Sequence, residues 1–354
     1  MEWYRLRCAG LSDSYIRALL KITKDYREIY KLEREQLIKY LKFDEEALKK
    51  LQTAKNIDLV EELNKLVQNK VKLIFIEDEA YPESLKNIAS PPLFLYCRGD
   101  VKKLKDFSLA VVGTRKPSSY GRGTTEKFVE GIVKGGITTV SGLALGIDTI
   151  CHRKTIALGG NTVAVVGSGL DVIYPKENRE LWELIPRHGV LVSEFPLGTE
   201  PHNYNFPQRN RIIVGLSKGV LVTESRIKGG SLITAEFALE EGRDIFAVPG
   251  EIFSPFSEGC NNLIKNNQAK LVTGISDIFS EYGMKEKKIQ NDDIDLKLTG
   301  LEKLVYDKLI GAKNLDELIM DTRLKSTEVL TLLVELEIKQ LVTSVPGGAY
   351  RRKK

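Results

Sequence analysis

LAVVGTR (109–115), TTVSGLALGID (138–148), TVAVVGSG (162–169), VLVSE (190–194), GVLVTES (219–225) and IFAVPG (245–250) are six short apolar runs, each closing on small, glycine-rich or polar residues. Helical patterns separate them. Apolar runs alternating with helices are βαβ units, and they predict an α/β domain with a parallel sheet and helices on both faces. Such sheets bind ligands beyond the carboxyl ends of their strands, which is where these glycines and serines fall. The pattern predicts a rim that receives an anion.

Residues 1–75 contain almost no glycine and space their apolar residues helically, as in YIRALLKI and EQLIKYLKF, which predicts a small helical domain. The stretch VKLIFIEDEAYPESLKNIASPPLFLYCRGD adds two extended runs around Pro91–Pro92 and leads into the sheet domain, 76–280. Residues 281–298 are charged and nearly free of aromatics, the composition of a linker. In 299–354, GLEKLVYDKLIG, NLDELIMDT and KSTEVLTLLVELEIKQ predict three short amphipathic helices. LVTSVPGGAYRRKK then predicts two strands about a Pro-Gly-Gly turn. Three helices and a hairpin form the winged-helix pattern.

With 354 residues, 42% hydrophobic and 29% charged, the chain is globular and long enough for two or three domains. No stretch approaches the ~18 uninterrupted apolar residues of a membrane span, and the N-terminus lacks a secretory signal pattern. Cys8, Cys97, Cys151 and Cys260 are scattered without a CxxC pair, as expected of reduced cytoplasmic thiols. The net charge of +5 leans weakly towards an anionic partner.

The loop GTRKPSSYGRG (113–123) follows the first run and opens a helix, whose N–H groups and dipole attract phosphate. It is neither of the common nucleotide loops. No G-x-x-x-x-G-K-[ST] string occurs, so ATP hydrolysis lacks its lysine and magnesium hydroxyl. The dinucleotide fingerprint fails too: the first loop has only Gly113, GSGLDV (167–172) lacks a third glycine, and the second run meets Ser141 where a ribose-binding acid belongs. No cofactor and no metal site is expected. What the loops offer instead is cations: Arg115, Lys176, Arg209, Arg211, Arg226 and Lys228, with Gly229, Gly230 and Ser231 opening another helix that Ser231 could cap. Charges from four loops suit an extended phosphate backbone. Tyr120, Tyr174, Tyr204 and Phe206 among them can stack on unpaired bases.

Catalytic machinery is not evident. His152, His188 and His202 have no HExxH context, and Ser141, Ser168, Ser193 and Ser225 have no GxSxG elbow. Asp148 and Glu194 are carboxylates at strand ends, with Asp148 placed to cap its helix or hold Arg115. In the C-terminal unit the second amphipathic helix offers Lys325 and then Glu328, Glu335 and Glu337, a poor match to a groove-reading helix. The basic tail RRKK can touch phosphates or remain solvated.

The strings YPESLKNIASPPLFLYCRGD, VVGTRKPSSYG, SGLALGIDTICH, VVGSGLDVIYPKEN, SEFPLGTEP, NFPQRNRIIVGLS, SRIKGGSLITAEFALEEGRDIFAVPG and SEGCNNLIKNNQA run in order from about 78 to 270 and closely resemble the bacterial DNA processing protein A family (DprA, also called Smf). The helical start resembles that family's sterile-alpha-motif-like (SAM-like) domain, and the tail its winged helix. The resemblance implies an extended Rossmann-like domain flanked by those two. It also implies a non-enzymatic, cytoplasmic role: binding and protecting single-stranded DNA, dimerising through the Rossmann-like domain, and loading the RecA recombinase in DNA uptake, transformation or repair. By the same resemblance, Arg115 and Lys176 match phosphate-contacting positions. Gly113, Ser168, Gly169, Arg209, Asn210, Arg211, Ser225, Gly229, Gly230 and Ser231 match motifs around the pocket. The chain departs where Lys228-Gly229-Gly230-Ser231 replaces an expected Arg-Ser-Gly-Ser, so the charge falls to Arg226 or Lys228. Glu236, Glu240 and Glu241 offer an acidic surface for RecA.

Two other readings compete. GGSLITAE is faintly like the loop of nucleotide phosphoribohydrolases, with Glu236 as the catalytic carboxylate. A winged-helix transcription factor with a sensing domain is the other.

Overall fold

A computed structural model describes residues 2–284, 298, 300–338, 341–345 and 348–352. The chain divides into two compact units, Met1–Lys287 and Lys288–Lys354. The expected linker falls, beyond Met284 and apart from Leu298, outside the described residues.

The first unit is built on nine strands: β1 (Lys72–Phe75), β2 (Phe94–Gly99), β3 (Ser108–Val112), β4 (Thr138–Ser141), β5 (Thr162–Val165), β6 (Gly189–Ser193), β7 (Gly219–Val222), β8 (Asp244–Ala247) and β9 (Lys270–Leu271). They lie in the order β1-β2-β6-β5-β4-β3-β7-β8-β9. From β6 to β9 all neighbours are parallel, whereas β2 joins β6, and β1 joins β2, antiparallel. The six runs read in the sequence are β3 to β8. Every residue of β3, β4, β5, β6 and β7 is buried, because helices cover both faces and leave no solvent side to demand alternation.

Within β3 the pleat divides the core. Leu109 and Val111 point to the layer holding Phe128, Ile132, Ile147 and Cys151, while Ala110 and Val112 point to the layer holding Ile212, Val214, Ala235 and Ala238. The helices Ser119–Lys134 and Ile147–Ala157 therefore cover one face, and Asn205–Leu216 and Gly230–Glu240 the other. The chain winds outward from β3 through β4 and β5 to β6, then returns to place β7 on the opposite flank of β3. That reversal opens a crevice at the carboxyl ends of β3 and β7.

The helical segment comprises Tyr4–Cys8, Asp13–Ile22, Arg34–Leu41, Glu45–Ala54 and Leu59–Gln68, with a 3₁₀ turn at Tyr26–Lys31. Asp44 accepts from the Ala47 N–H at 2.7 Å, and Asp58 from those of Val60 and Glu61, which satisfies donors the helix starts leave open. Its apolar face is continuous with the sheet core: Trp3, Tyr4 and Leu6 share one cluster with Phe94, Tyr96 and Trp182. Arg7 donates to the Glu194 carbonyl at 2.9 Å across the same boundary.

The second unit has helices Gly300–Lys308, Leu315–Thr322 and Ser326–Ile338 around Val305, Leu318, Val329, Leu333 and Leu336. Strands β10 (Lys313–Asn314), β11 (Val342–Val345) and β12 (Ala349–Arg352) form an antiparallel sheet in the order β10-β12-β11. The two-residue β10 has too few residues to show a period in the sequence. Of the Pro-Gly-Gly turn only Gly348 is described, and Lys353 and Lys354 of the tail lie outside the described residues. Arg352 is held internally, donating to the Tyr306 carbonyl at 2.7 Å with its guanidinium 4.4 Å from that ring. Among the described residues no helix is long and apolar enough to cross a membrane.

Candidate functional site

Two loops form the crevice, one leaving β3 at 113–118 and one leaving β7 at 223–229. They are tied to each other by Glu224. Its carbonyl accepts from the Thr114 N–H at 2.8 Å, and its buried carboxylate accepts from the Ser118 N–H at 2.9 Å and from the Ser118 hydroxyl. Small residues make room for this. A Cβ on Gly113 would stand 2.8 Å from the Glu224 carbonyl oxygen, and one on Gly121 would stand 2.4 Å from the Glu224 carboxylate. Gly121→Ala is accordingly expected to lower stability by about 1–3 kcal/mol through overpacking. An unchanged urea midpoint for that variant would show that the Glu224 contact is not tight.

The crevice opens as a cleft of about 580 Å³. Gly113, Thr114 and Arg115 form one wall, Phe206, Pro207, Arg209 and Asn210 a second, and Arg226 to Ser231 a third, with Pro255 and Glu258 at the edge. Gly229 precedes the helix Gly230–Glu240, and no side chain caps that N-terminus. Ser231 is not the cap expected from the sequence. It is buried and donates to the Ser225 hydroxyl at 2.9 Å, which in turn donates to the Arg226 carbonyl at 3.0 Å. The helix start and its partial positive charge are thereby left to whatever enters the cleft.

The cations fall into two groups. Arg115, Arg226 and Lys228 are exposed, line the cleft and make no ion pair among the described residues. Arg115 lies 5.7 Å from the Phe206 ring centroid, Phe206 lies 5.5 Å from Tyr174, and Arg226 lies 4.5 Å from Phe256. These rings hold the guanidinium groups without neutralising them. Lys176, also exposed, stands two residues beyond Tyr174 on the rim and does not line the cleft. The sequence set Arg115, Lys176, Arg209, Arg211, Arg226 and Lys228 in four loops; the fold brings Arg115, Arg209, Arg226 and Lys228 to the cleft and leaves Lys176 on the rim and Arg211 outside it.

Arg209 lines the cleft and also braces the scaffold, whereas Arg211 serves the scaffold alone. Arg209 is buried, and its guanidinium donates to the carbonyls of Gly142 and Val165, joining the carboxyl ends of β4 and β5. Burial pulls its pKa down to about 10, against the opposing field of Asp148. Asp148, also buried, accepts from the Gly142 and Ala144 N–H groups at 3.1 and 3.3 Å, and burial raises its pKa. It therefore answers Arg209 and the loop backbone, not Arg115. Arg211 pairs with Glu194, whose pKa burial also raises, at the boundary with the helical segment and away from the cleft. Asn210 remains on the wall.

Ser168 and Gly169 also stand behind the cleft. Ser168 donates to the Val172 carbonyl at 3.0 Å, and the Gly169 N–H donates to the Thr199 carbonyl at 2.9 Å, tying this loop to the one that follows β6. A smaller hollow beside the cleft is lined by Arg115, Leu143, Gly167, Tyr174, Pro175 and Phe206. On the rim, Tyr204 stacks on His202 with centroids 5.3 Å apart, and Tyr120 donates to the Pro249 carbonyl at 2.7 Å.

His152 is fully buried against Thr162, 2.7 Å from its hydroxyl, and burial together with Arg209 drives its pKa down to about 3. It stays neutral at physiological pH. Glu236, the carboxylate required for the hydrolase reading, is exposed and does not line the cleft. Among the described residues no group of three or more His, Cys, Asp or Glu side chains is placed to hold a metal. The sequence reading missed Glu224 and Phe256. Glu224 meets Ser118, 106 positions away, and no local pattern announces such a pair.

A family model described as DNA recombination-mediator protein A matches residues 72–283, and one described as the DprA winged helix domain matches 306–348. DNA processing protein DprA of Streptococcus pneumoniae is 45% identical over 207 residues, covering 58% of this chain and 73% of its own length. Protein Smf of Escherichia coli is 40% identical over 294 residues, covering 80% and 78%. The X-ray structure of the Streptococcus pneumoniae DNA processing protein A superposes with a TM-score of 0.70 at 37% identity, over 79% of this chain and 98% of that one. A DNA processing protein A structure from Helicobacter pylori, described as revealing its single-stranded DNA binding mode, matches with a TM-score of 0.55 at 28% identity, over 60% and 97%.

Proposed function

Because this chain belongs to the DNA recombination-mediator protein A family, we propose that it is a non-enzymatic, cytoplasmic mediator that binds and protects single-stranded DNA and loads RecA recombinase onto it, in DNA uptake or repair. The observation that carries this reading is the cleft: three cations without ion-pair partners among the described residues, Arg115, Arg226 and Lys228, around a helix N-terminus that no described side chain caps, at the sheet's switch point. Such a set holds phosphates through charge-assisted donors. Lys176 extends it along the rim. The rings of Phe206, Tyr174 and Tyr204, which lie on the same rim, would stack on unpaired bases beside those phosphates.

Homodimerisation through the sheet domain would align two clefts and lengthen the bound tract. Of the acidic residues offered to RecA, Glu241 is already engaged, accepting from the Ala89 N–H at 3.0 Å, which leaves Glu236 and Glu240.

The test is anisotropy of a labelled oligonucleotide, single-stranded and then duplex, across a salt titration. The single strand is expected to bind more tightly, with a log–log salt slope of about −0.7 per phosphate neutralised. Equal binding of the two forms would remove the single-strand preference, and binding of neither would remove the DNA assignment and revive hydrolysis of nucleoside monophosphates as the activity to assay.

A further inference from the structure

The segment between β8 and the helix Glu258–Lys265 passes beside the cleft and carries the most exposed aromatic ring among the described residues. Its base is fixed. The Asn261 side chain donates to the Gly250 carbonyl at 3.0 Å and accepts from the Gly250 N–H at 3.1 Å, while Tyr120 donates to the Pro249 carbonyl. Two turns close the loop above: the Ser254 N–H donates to the Glu251 carbonyl at 3.1 Å and the Ser257 N–H to the Ser254 carbonyl at 3.0 Å. The tip presents Ile252, 79% exposed, and Phe253, 93% exposed.

A phenylalanine this exposed contributes nothing to the core of its own chain, so its area is free to be buried against a ligand. The loop's far end identifies that ligand's chemistry. Pro255 and Glu258 line the cleft, and Phe256 lies under the Arg226 guanidinium. A strand whose phosphates were held by Arg115, Arg226 and Lys228 would find an apolar, aromatic tip two residues from the cleft-lining Pro255.

We propose that Phe253 is a stacking platform for a base of single-stranded nucleic acid just outside the cleft, with Ile252 completing the apolar surface. The proposal rests on the single-strand reading and extends it to a second station along the tract. A strand held only in the cleft binds by charge; one that also reaches Phe253 gains an interaction that does not displace counterions.

The experiment compares wild type, Phe253→Ala and Phe253→Trp on oligodeoxynucleotides of about 5 and about 20 nucleotides, with the oligomeric state of each followed by light scattering. Phe253→Ala is expected to weaken the longer oligonucleotide about five- to tenfold, leave the shorter one unchanged and preserve the salt slope. Phe253→Trp should restore affinity, and its indole should be quenched on binding, since Trp3 and Trp182 are buried. Equal affinity of Phe253→Ala and wild type for the long strand overturns the proposal. So does a change of assembly mass that weakens both lengths alike, because the tip would then belong to a contact between copies. Failure of wild type to bind either oligonucleotide would instead remove the single-strand reading itself.

Discussion

Arg115→Ala combined with Lys228→Ala is expected to lower affinity for single-stranded DNA by about a hundredfold or more at low salt, from roughly 1.5–3 kcal/mol for each charge-assisted hydrogen bond lost. The salt slope should flatten by about 1.4, which is two phosphates at about 0.7 each. Both side chains are exposed and unpaired, so removing them leaves no buried group unsatisfied, and the fold should be unaffected. Lys176→Ala, on the rim, should weaken binding less. Binding of the double variant within twofold of wild type at matched salt, with an unchanged salt slope, would show that the cleft is not where the strand is held. Retained affinity with a flattened slope would place most of the binding energy in stacking.

The division between Arg115 and Arg209 marks how far the sequence is legible. The strands β3 to β8 are visible because each is an apolar run, buried throughout in β3 to β7 and after Asp244 in β8, ending in small or polar residues, a local pattern. The crevice follows from strand order, which the family resemblance supplies and composition does not. Which cations face the ligand depends on long-range geometry. Arg209 and Arg211 read as rim charges because they sit in NFPQRNRIIVGLS after the glycine loops. Arg209 does reach the cleft, but with its guanidinium engaged on the carbonyls of Gly142 and Val165, and Arg211, two residues on and so on another face of the helix, turns to Glu194. Lys228 stands where an Arg-Ser-Gly-Ser pattern is expected, yet it shares the cleft with Arg226, so charge is supplied from both positions. Ser231 has the residue type of a cap, but Ser225 takes its hydroxyl.

Arg209→Ala is expected to act on stability first and on binding only as a consequence. The deletion strands the Gly142 and Val165 carbonyls and leaves the buried Asp148 carboxylate without its countercharge. Breaking one side of such a buried arrangement costs about 3–5 kcal/mol. At about 2–4 °C per kcal/mol for a domain of this size, the melting temperature should fall on the order of 10 °C. The pH dependence identifies the cause. Asp148 already titrates above its ordinary value, and losing Arg209 should raise it further. A carboxyl whose pKa is higher folded than unfolded binds more protons in the native state, so stability must fall as pH rises through that window and recover as pH drops. Arg209→Ala should therefore regain part of its loss between neutral pH and the ordinary carboxylate range. Arg209→Ala with Asp148→Asn should be less destabilised than the single variant at neutral pH and lack that recovery. A variant that melts like wild type but no longer binds single strands would make Arg209 a direct phosphate ligand and return it to the set read from the sequence.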